Sequence, residues 1–462
     1  MNQQSVMDGA DGLAGSRTCS GPCRILAAGF GATTLMWLVS YLAILVPGAV
    51  VGEVLFGLAI LALVGGGVVA GRRDEGLPGD VGSAVRGVLV GVVSALLNLL
   101  LVASLLQSDI AGGGGWVIGI LIGCVVAGAV GGVIGANIRP WRTDGNWLSV
   151  FCWVTTALTL FMIVTGGIVT GFQAGLAVPD WPNSYGHNML LYPLSEMVAD
   201  LDGGVFYEHA HRLTGMFVGL TAIPFCLVLW TGSVRRWVAV LGTFVLALVV
   251  LQGVLGGLRV TGWFTMSQDA ADLAPSTILA VVHGVLAQLI LAMMAVAAAA
   301  TSTPWRRAPA RLGDGRVSVD RRLAVALVIC LIVQLILGAA YRHMITAGGV
   351  DAKGASHALM AHIGMAVVVT ILALFVGLRG AVVPGRDVIF RWLGRCVLVT
   401  VGLQVLLGIG GLAAVLVRPE LGTTADVPVV EVLVTSAHQA NGAVLLAASV
   451  VLMVWYWRAS DA

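Results

Sequence analysis

Charged residues make up only 10% of this 462-residue chain, against 58% hydrophobic residues, where a soluble domain carries roughly one-quarter charge. That scarcity excludes an ordinary soluble protein. With 25 Lys and Arg facing 23 Asp and Glu, the net charge is +2, a figure that describes membrane topology and gives no sign of a nucleic-acid partner. No nucleic-acid partner is expected. Cysteine is also sparse: Cys124, Cys152, Cys226, Cys330 and Cys396 sit in apolar runs, while Cys19 and Cys23 lie in CSGPC near the start. None falls in an outer loop, which excludes an extracytoplasmic disulfide. One CSGPC pair without a second pair makes a poor metal site and is read as inert. A cleavable secretory signal is missing too, because the first 24 residues are polar and the first apolar run is long enough to cross a bilayer.

What the chain has in abundance is long apolar runs. A helix needs about 20 apolar residues to cross the hydrocarbon layer, and twelve runs qualify: 25–47, 50–71, 85–107, 115–137, 147–170, 207–230, 237–258, 277–300, 323–341, 356–378, 392–415 and 433–457. The fold class expected is therefore an all-α polytopic membrane protein. Arginine fixes its orientation, since cytoplasmic loops keep positive charge. Arg24, Arg72, Arg73, Arg139, Arg142, Arg235, Arg236, the basic stretches 306–322 and 379–391, and Arg458 all fall on one side of a twelve-span chain. The other side holds Asp180, Glu196, Asp200, Asp202, Asp269 and Glu431, with only Arg259, Arg342, Lys353 and Arg418 as strong bases. Both termini are expected in the cytoplasm, and the chain in the inner (plasma) membrane.

Two internal repetitions divide the chain. In the first four spans, GEVLFGLAILALVGGGVVAG (52–71) is echoed by GWVIGILIGCVVAGAVGGVIGA (115–136). Small residues at helical spacing, such as Gly67 with Gly71 and Gly131 with Gly135, let helices approach closely in lipid. No chemistry-bearing cluster appears there, so 25–145 reads as a four-helix packing or docking extension behind a cytoplasmic tail, 1–24. The second repetition relates spans five to eight to spans nine to twelve. From His211 to Gln252 is 41 positions and from His362 to Gln404 is 42; from Gln252 to His283 is 31 and from Gln404 to His438 is 34. LQGVLGG (251–257) also matches LQVLLGIGG (403–411), and Gln334 with Gly338 repeats Q-x-x-x-G. Two tandem four-helix bundles, 146–305 and 323–462, are expected, joined by a basic cytoplasmic linker, 306–322. An even number of helices per half makes the repeat parallel.

Each of the four histidines enters its span from the outer end. At 1.5 Å per residue, His211, His283, His362 and His438 sit roughly 7 to 10 Å below that end. A lone membrane histidine is usually a hydrogen-bonded core residue, but four at matched depth and repeated register point to function. Two imidazoles from different helices can hold a flat object between them, as haem iron requires. Zinc needs three or four converging ligands, and nothing beside His362 supplies them. One haem per half is expected.

The halves differ in their acids. HALMAHIGMA around His362 has none, whereas FYEHAHRLTG (206–215) places Glu208 one turn from His211 on the same helix face. Such a carboxylate suits a haem that reacts, by moving protons or stabilising positive charge. The plainer reading is an ion pair of Glu208 with Arg212, while Arg212 also has the geometry for a haem propionate. His209 faces away and is assigned to packing. The connection 171–193, rich in Pro, Trp and Gly, is either a lid on the first site or an ordered loop in the aromatic belt.

These pieces together resemble the haem A synthase family: TGGIVTGFQAGLAVPDWPNSYG (165–186), E-x-x-H-R (208–212), QGVLGGLRV (252–260), HGVLAQL (283–289), LGAAYRH (337–343) and AHQANGAVLL (437–446). The resemblance covers 146–458. It implies oxidation of a methyl group of haem O to a formyl group, giving haem A for cytochrome oxidase assembly. It further implies that His211 and His283 hold the haem O substrate, that Glu208 is the essential carboxylate, and that His362 and His438 hold a permanent haem b that relays electrons. Haem O synthase, cytochrome oxidase assembly proteins and an electron donor are the partners it suggests. Many family members carry a cysteine pair in the first outer loop; here Val178 and Ser184 stand at those positions. The four amino-terminal spans have no family counterpart. The competing reading is a bis-histidine diheme electron conduit that synthesises nothing. A transporter is disfavoured by the lack of Gly/Pro-broken helix pairs at mid-depth.

Overall fold

A computed structural model of the chain describes residues 20–45, 49–73, 81–106, 112–140, 145–199, 203–262, 276–307, 314–346, 352–383, 387–417 and 427–460. Twelve long helices carry the described chain: α1 (Ser20–Leu45), α2 (Ala49–Gly71), α3 (Val81–Val102), α4 (Gly113–Ala136), α5 (Trp147–Gly171), α7 (Val205–Thr231), α8 (Arg236–Val260), α9 (Thr277–Ala300), α11 (Asp314–Thr346), α12 (Ala352–Val382), α13 (Val388–Val417) and α14 (Val429–Ser460). Two short helices, α6 (Leu194–Ala199) and α10 (Thr303–Arg306), lie between them. All twelve long helices are apolar enough to cross a membrane. The expected all-α polytopic membrane protein is what the chain forms. Its sheet among the described residues is one pair of two-residue strands, Asn183–Ser184 with His187–Asn188.

The second-half helices begin earlier than the apolar runs suggest. Helix α11 starts at Asp314, α12 at Ala352, α13 at Val388 and α14 at Val429. Apolar length measures only the hydrocarbon crossing, whereas a helix continues into polar sequence as long as its backbone bonds are made. Cys19 and several outer acids, Asp200, Asp202 and Asp269, lie outside the described residues.

The chain divides into two compact units. The first comprises residues 1–97, 120–155 and 221–246. Its core gathers Ala28, Ala32, Leu63, Ala70, Val90, Ala95 and Cys124. Glycine sets its helix spacing: a Cβ on Gly131 of α4 would collide with the Val64 carbonyl and lie 2.9 Å from Gly67 Cα on α2, and one on Gly128 would lie 2.5 Å from the Gly87 carbonyl of α3. Helix α4 thus meets α2 and α3 backbone to backbone, the contact that drives association where lipid is as apolar as the side chains. Buried Arg24 donates to the main-chain oxygens of Val69 and Arg72, and its guanidinium lies 4.9 Å from the Trp147 ring centre. Replacing Gly131 by alanine should destabilise the protein by about 1–3 kcal/mol, the usual cost of overpacking. Gly123→Ala, where nothing lies within 4 Å of a built Cβ, should be neutral or slightly stabilising. Thermal unfolding of the two variants in one detergent checks the contrast.

The second unit comprises residues 98–119, 156–220 and 247–462 and contains all four spanning histidines. Helices α11, α12, α13 and α14 pack in a closed ring, and α9 lies against α11 and α14. Ile163 of α5, Leu291 of α9 and Ala443 of α14 form a buried cluster. Beyond the end of α5 at Gly171, Gln173 has a φ of 56° that lets the Ala174 amide bond back to Val169 at 2.9 Å, the usual way a helix closes its last carbonyls.

Candidate functional site

Four helix pairs of the second unit repeat one arrangement. In each, a glycine on the first helix faces the imidazole Cε1 of a histidine on the second. A Cβ on Gly166 of α5 would lie 2.9 Å from His211 of α7; on Gly256 of α8, 3.4 Å from His283 of α9; on Gly338 of α11, 2.7 Å from His362 of α12; and on Gly408 of α13, 3.1 Å from His438 of α14. Any side chain at the tighter seats would push the imidazole aside. Three of these glycines follow a glutamine by four residues (Gln252, Gln334, Gln404), and the fourth follows Met162. The Q-x-x-x-G spacing is plain in the sequence; its pairing with histidine is not, because nothing local says which ring will lie there.

His211, His283, His362 and His438 lie six, six, seven and nine residues inside the apolar segments that begin at Val205, Thr277, Ala355 and Val429. At 1.5 Å per residue that is about 9 to 14 Å, slightly deeper than the sequence suggests because α14 starts earlier. The rings of His362 and His438 stand 6.3 Å apart between centroids, at 75°. Around His211, the Thr165 hydroxyl lies 3.0 Å from Nδ1. Gln334 lies against His362, its amide nitrogen 3.3 Å from Nε2 and its main-chain oxygen 3.2 Å from Nδ1. Gln404 lies 3.3 and 3.2 Å from the two ring nitrogens of His438 and is itself held by Asn441 at 2.7 Å.

The α5–α7 connection closes over the same end of α7. Glu208 is buried, and both of its oxygens are engaged: Oε2 accepts the Val178 amide at 2.8 Å, and Oε1 accepts Arg212 at 2.7 Å. Arg212 also donates to the main-chain oxygens of Val178 at 2.7 Å, Asp180 at 2.7 Å and Asn183 at 3.1 Å. The Glu208–Arg212 pair therefore forms, but as a buried clasp on the loop and not as a surface bridge. His209 faces away from His211, as expected, and its Nδ1 meets the Ser184 hydroxyl at 3.2 Å while its ring packs on Tyr192. Val178 and Ser184 are thus the loop residues that adjacent positions of α7 grip. Tyr185 and Gly186, at φ 49° and 77°, make the tight turn between the two strands, a pairing that twists as a hairpin does. The Asp180 carboxylate accepts both of their amides, at 2.7 and 2.8 Å. Although burial alone pushes Asp180 up, those amides and Arg212 outweigh it and hold its carboxyl below the ordinary value. Trp181 lies flat over Gly257 of α8, next to the seat of His283.

Cations crowd this end. Arg259 of α8 lies within electrostatic reach of Glu208, His211 and His283, and its buried Nε has no hydrogen-bond partner. Arg342 of α11 lies 3.9 Å from Glu431 of α14. A buried acid is consequently not confined to the first half: Glu431 belongs to α14 because that helix starts at Val429, and it lies two turns from His438 where Glu208 lies one turn from His211.

Residues 149–351 match the family model COX15-CtaA, cytochrome oxidase assembly protein. Over that stretch, less than half of the chain, the protein is similar to this family. No curated protein and no solved structure matches the chain. The COX15-CtaA segment runs from α5 through α11 and into the following connection. It contains Glu208, Arg212, His211, His283 and the whole loop, while His362 and His438 lie beyond it.

The side chains around the COX15-CtaA segment fit a haem. Imidazole-to-metal bonds of about 2 Å place two rings on one iron roughly 6 Å apart between centres, and His362 and His438 stand at that spacing. Among the described residues no three His, Cys, Asp or Glu converge on a metal-sized point. A porphyrin needs only two axial protein ligands, since it supplies the other four nitrogens itself. All four histidines are of intermediate burial. Gln252 Oε1, Gln334 Oε1, His283 Nδ1 and Arg259 Nε are buried polar atoms without a protein partner, unusual in a finished core.

Proposed function

We propose that the chain is a haem A synthase, oxidising a methyl group of haem O through a hydroxymethyl stage to the formyl group of haem A. His211 and His283 hold the haem O substrate, His362 and His438 hold a resident haem b, and Glu208 is the carboxylate beside the reacting haem. The buried Glu208, one turn from His211 inside the COX15-CtaA segment, carries this reading. The second pair has glutamine amides at its rings in that role's place. Haem b, when bound, supplies a reversible one-electron iron couple.

Overall the conversion balances as R–CH3 + O2 → R–CHO + H2O, with molecular oxygen as the final electron acceptor; protons and electrons leave the methyl carbon on the way, and the chain offers a group for each. Glu208 presents a fixed negative charge in a low-dielectric surrounding, where it stabilises positive charge more than it would in water. A proton arriving at Glu208 breaks either the bond to Val178 or the pair with Arg212, so charge there is coupled to the fastening of the loop. Arg259, whose buried Nε has no hydrogen-bond partner, is the guanidinium available to a haem propionate, while the terminal nitrogens of Arg212 are taken by Glu208 and the loop. The loop, bonded to α7 at Val178 and Ser184 and laid on α8 at Trp181, serves as a lid that excludes water. The orientation that fits the arginine pattern puts this end at the outer face of the inner membrane and both termini in the cytoplasm. Haem O synthase and cytochrome oxidase assembly proteins are the natural partners upstream and downstream.

Expressing the protein with haem O available and extracting its pigments for mass analysis tests the reading. Haem A or its hydroxylated precursor is expected. A preparation holding only haem b and unaltered haem O would sink it.

A further inference from the structure

The four imidazoles are not held alike. A histidine that ligates a metal through Nε2 is fixed in tautomer and orientation by what its Nδ1–H bonds to, and losing that partner typically costs 10- to 100-fold in metal affinity. The Thr165 hydroxyl already donates to the Met162 carbonyl at 2.9 Å. Its lone pair therefore accepts the Nδ1–H of His211 at 3.0 Å. The Nδ1–H of His362 is taken by the Gln334 carbonyl at 3.2 Å. His438 is held the other way round: the Gln404 amide nitrogen, 3.3 and 3.2 Å from its two ring nitrogens, donates to the ring, and Asn441, which donates to Gln404 Oε1 at 2.7 Å and to the Thr400 carbonyl at 2.9 Å, fixes that amide.

His283 lacks any such hold. Its Nδ1 is buried without a partner. Gln252 occupies the place that Gln404 takes in the other half, yet its amide turns to the His283 main-chain oxygen at 2.9 Å and leaves the ring alone. The seat at Gly256 is also the loosest of the four, 3.4 Å against 2.9, 2.7 and 3.1 Å. Three separate features pick out the same side chain.

We propose that His283 is the releasable ligand of the first haem site, with His211 the anchored one, and that both rings of the second site are held by a glutamine, where the His283 ring is held by none. This rests on the haem reading above. A site that admits a haem, alters it and passes it on needs one side that opens; a site that keeps its haem needs none. The division of labour between the two pairs is thus written in the hydrogen bonds to the rings as well as in the acid beside one of them.

Carbon monoxide binds ferrous haem only where an axial ligand yields, so titrating the reduced full-length protein with it is the direct test. One of the two haems should take carbon monoxide, and the same response should persist after His362→Ala/His438→Ala removes the second. Gly256→Ser gives His283 what it lacks: the Cβ fits at 3.4 Å from Cε1 and 4.0 Å from Nδ1, within a hydroxyl's reach of that nitrogen. It should weaken carbon monoxide binding 10- to 100-fold. His283→Ala should keep its haem and regain a six-coordinate spectrum on adding imidazole, whereas His211→Ala should lose that haem. Carbon monoxide binding at the second site, or equally at both, overturns the proposal. So does an unchanged response in Gly256→Ser, or a His283→Ala protein as empty as His211→Ala. A wild-type protein that binds no haem at all defeats the synthase reading itself.

Discussion

Alanine at Glu208 should stop the conversion of haem O while leaving both haems bound. The seat of His211 does not depend on this carboxylate, since Thr165 and Gly166 position that ring from α5. What disappears is the only buried negative charge one turn from that ring. A positioned acid or base is typically worth 10²- to 10⁴-fold in rate, and pigment extracts should fall by that order, with haem O or the alcohol accumulating. The lid should loosen as well. Val178 loses the acceptor of its buried amide, a penalty of about 1–3 kcal/mol, and protease cleavage within 177–193 should quicken. Glutamine is a poor substitute here, because the Val178 amide and the Arg212 guanidinium are both donors, and a Gln side chain offers one acceptor and one further donor. Glu208→Gln should therefore resemble Glu208→Ala in rate. A diheme conduit predicts the opposite, with electron transfer indifferent to either change and no conversion to lose.

The five residues EHAHR (208–212) are read together as one device. Glu208 and Arg212, a turn apart, clasp the loop at Val178, Asp180 and Asn183. His209, on another face, holds it at Ser184. His211 is left to face α5. Charge is costly at a membrane boundary, and here each charged group meets a partner of opposite sign or a carbonyl. The loop is consequently fastened by the same helix that carries His211.

Twelve spans were legible because a run of about 20 apolar residues has little alternative to a membrane helix. The histidine pairs were legible because spacing from His211 to Gln252 to His283 recurs from His362 to Gln404 to His438, and repetition survives in one dimension. Thr165 and Arg259 were hidden. A threonine on a membrane helix ordinarily bonds its own preceding turn, as Thr155 does to Phe151 and Thr165 to Met162, and only the packing of α5 on α7 brings a ring to the Thr165 lone pair. Arg259 sits at the end of α8 among outer-loop bases, and its missing partner at Nε appears only once its neighbours are placed. Hydropathy alone puts Glu431 in a loop and makes the second-half helices short, because it marks where lipid begins and not where the helix does.

Gly338→Ala should cost the protein its second haem. Alanine in place of a helical glycine normally stabilises by about 1 kcal/mol, so the intrinsic backbone preference runs toward the variant and any loss must come from the contact. A Cβ at Gly338 would lie 2.7 Å from Cε1 and 3.0 Å from Nδ1 of His362, closer than carbon and nitrogen tolerate, so the ring must turn. Turning it gives up the bond from Nδ1 to the Gln334 carbonyl, 3.2 Å long, and the 6.3 Å spacing to His438 that suits a shared iron. The absorbance of one haem per chain should disappear, and conversion at the first site should stall for want of a relay, although Glu208 and His211 are untouched. Gly364→Ala lies two residues from the same histidine and meets nothing within 4 Å; it should retain both haems and melt at an equal or slightly higher temperature. Pyridine haemochrome counts on the two variants decide the matter: equal haem content in both would mean that the glycine does not seat the ring.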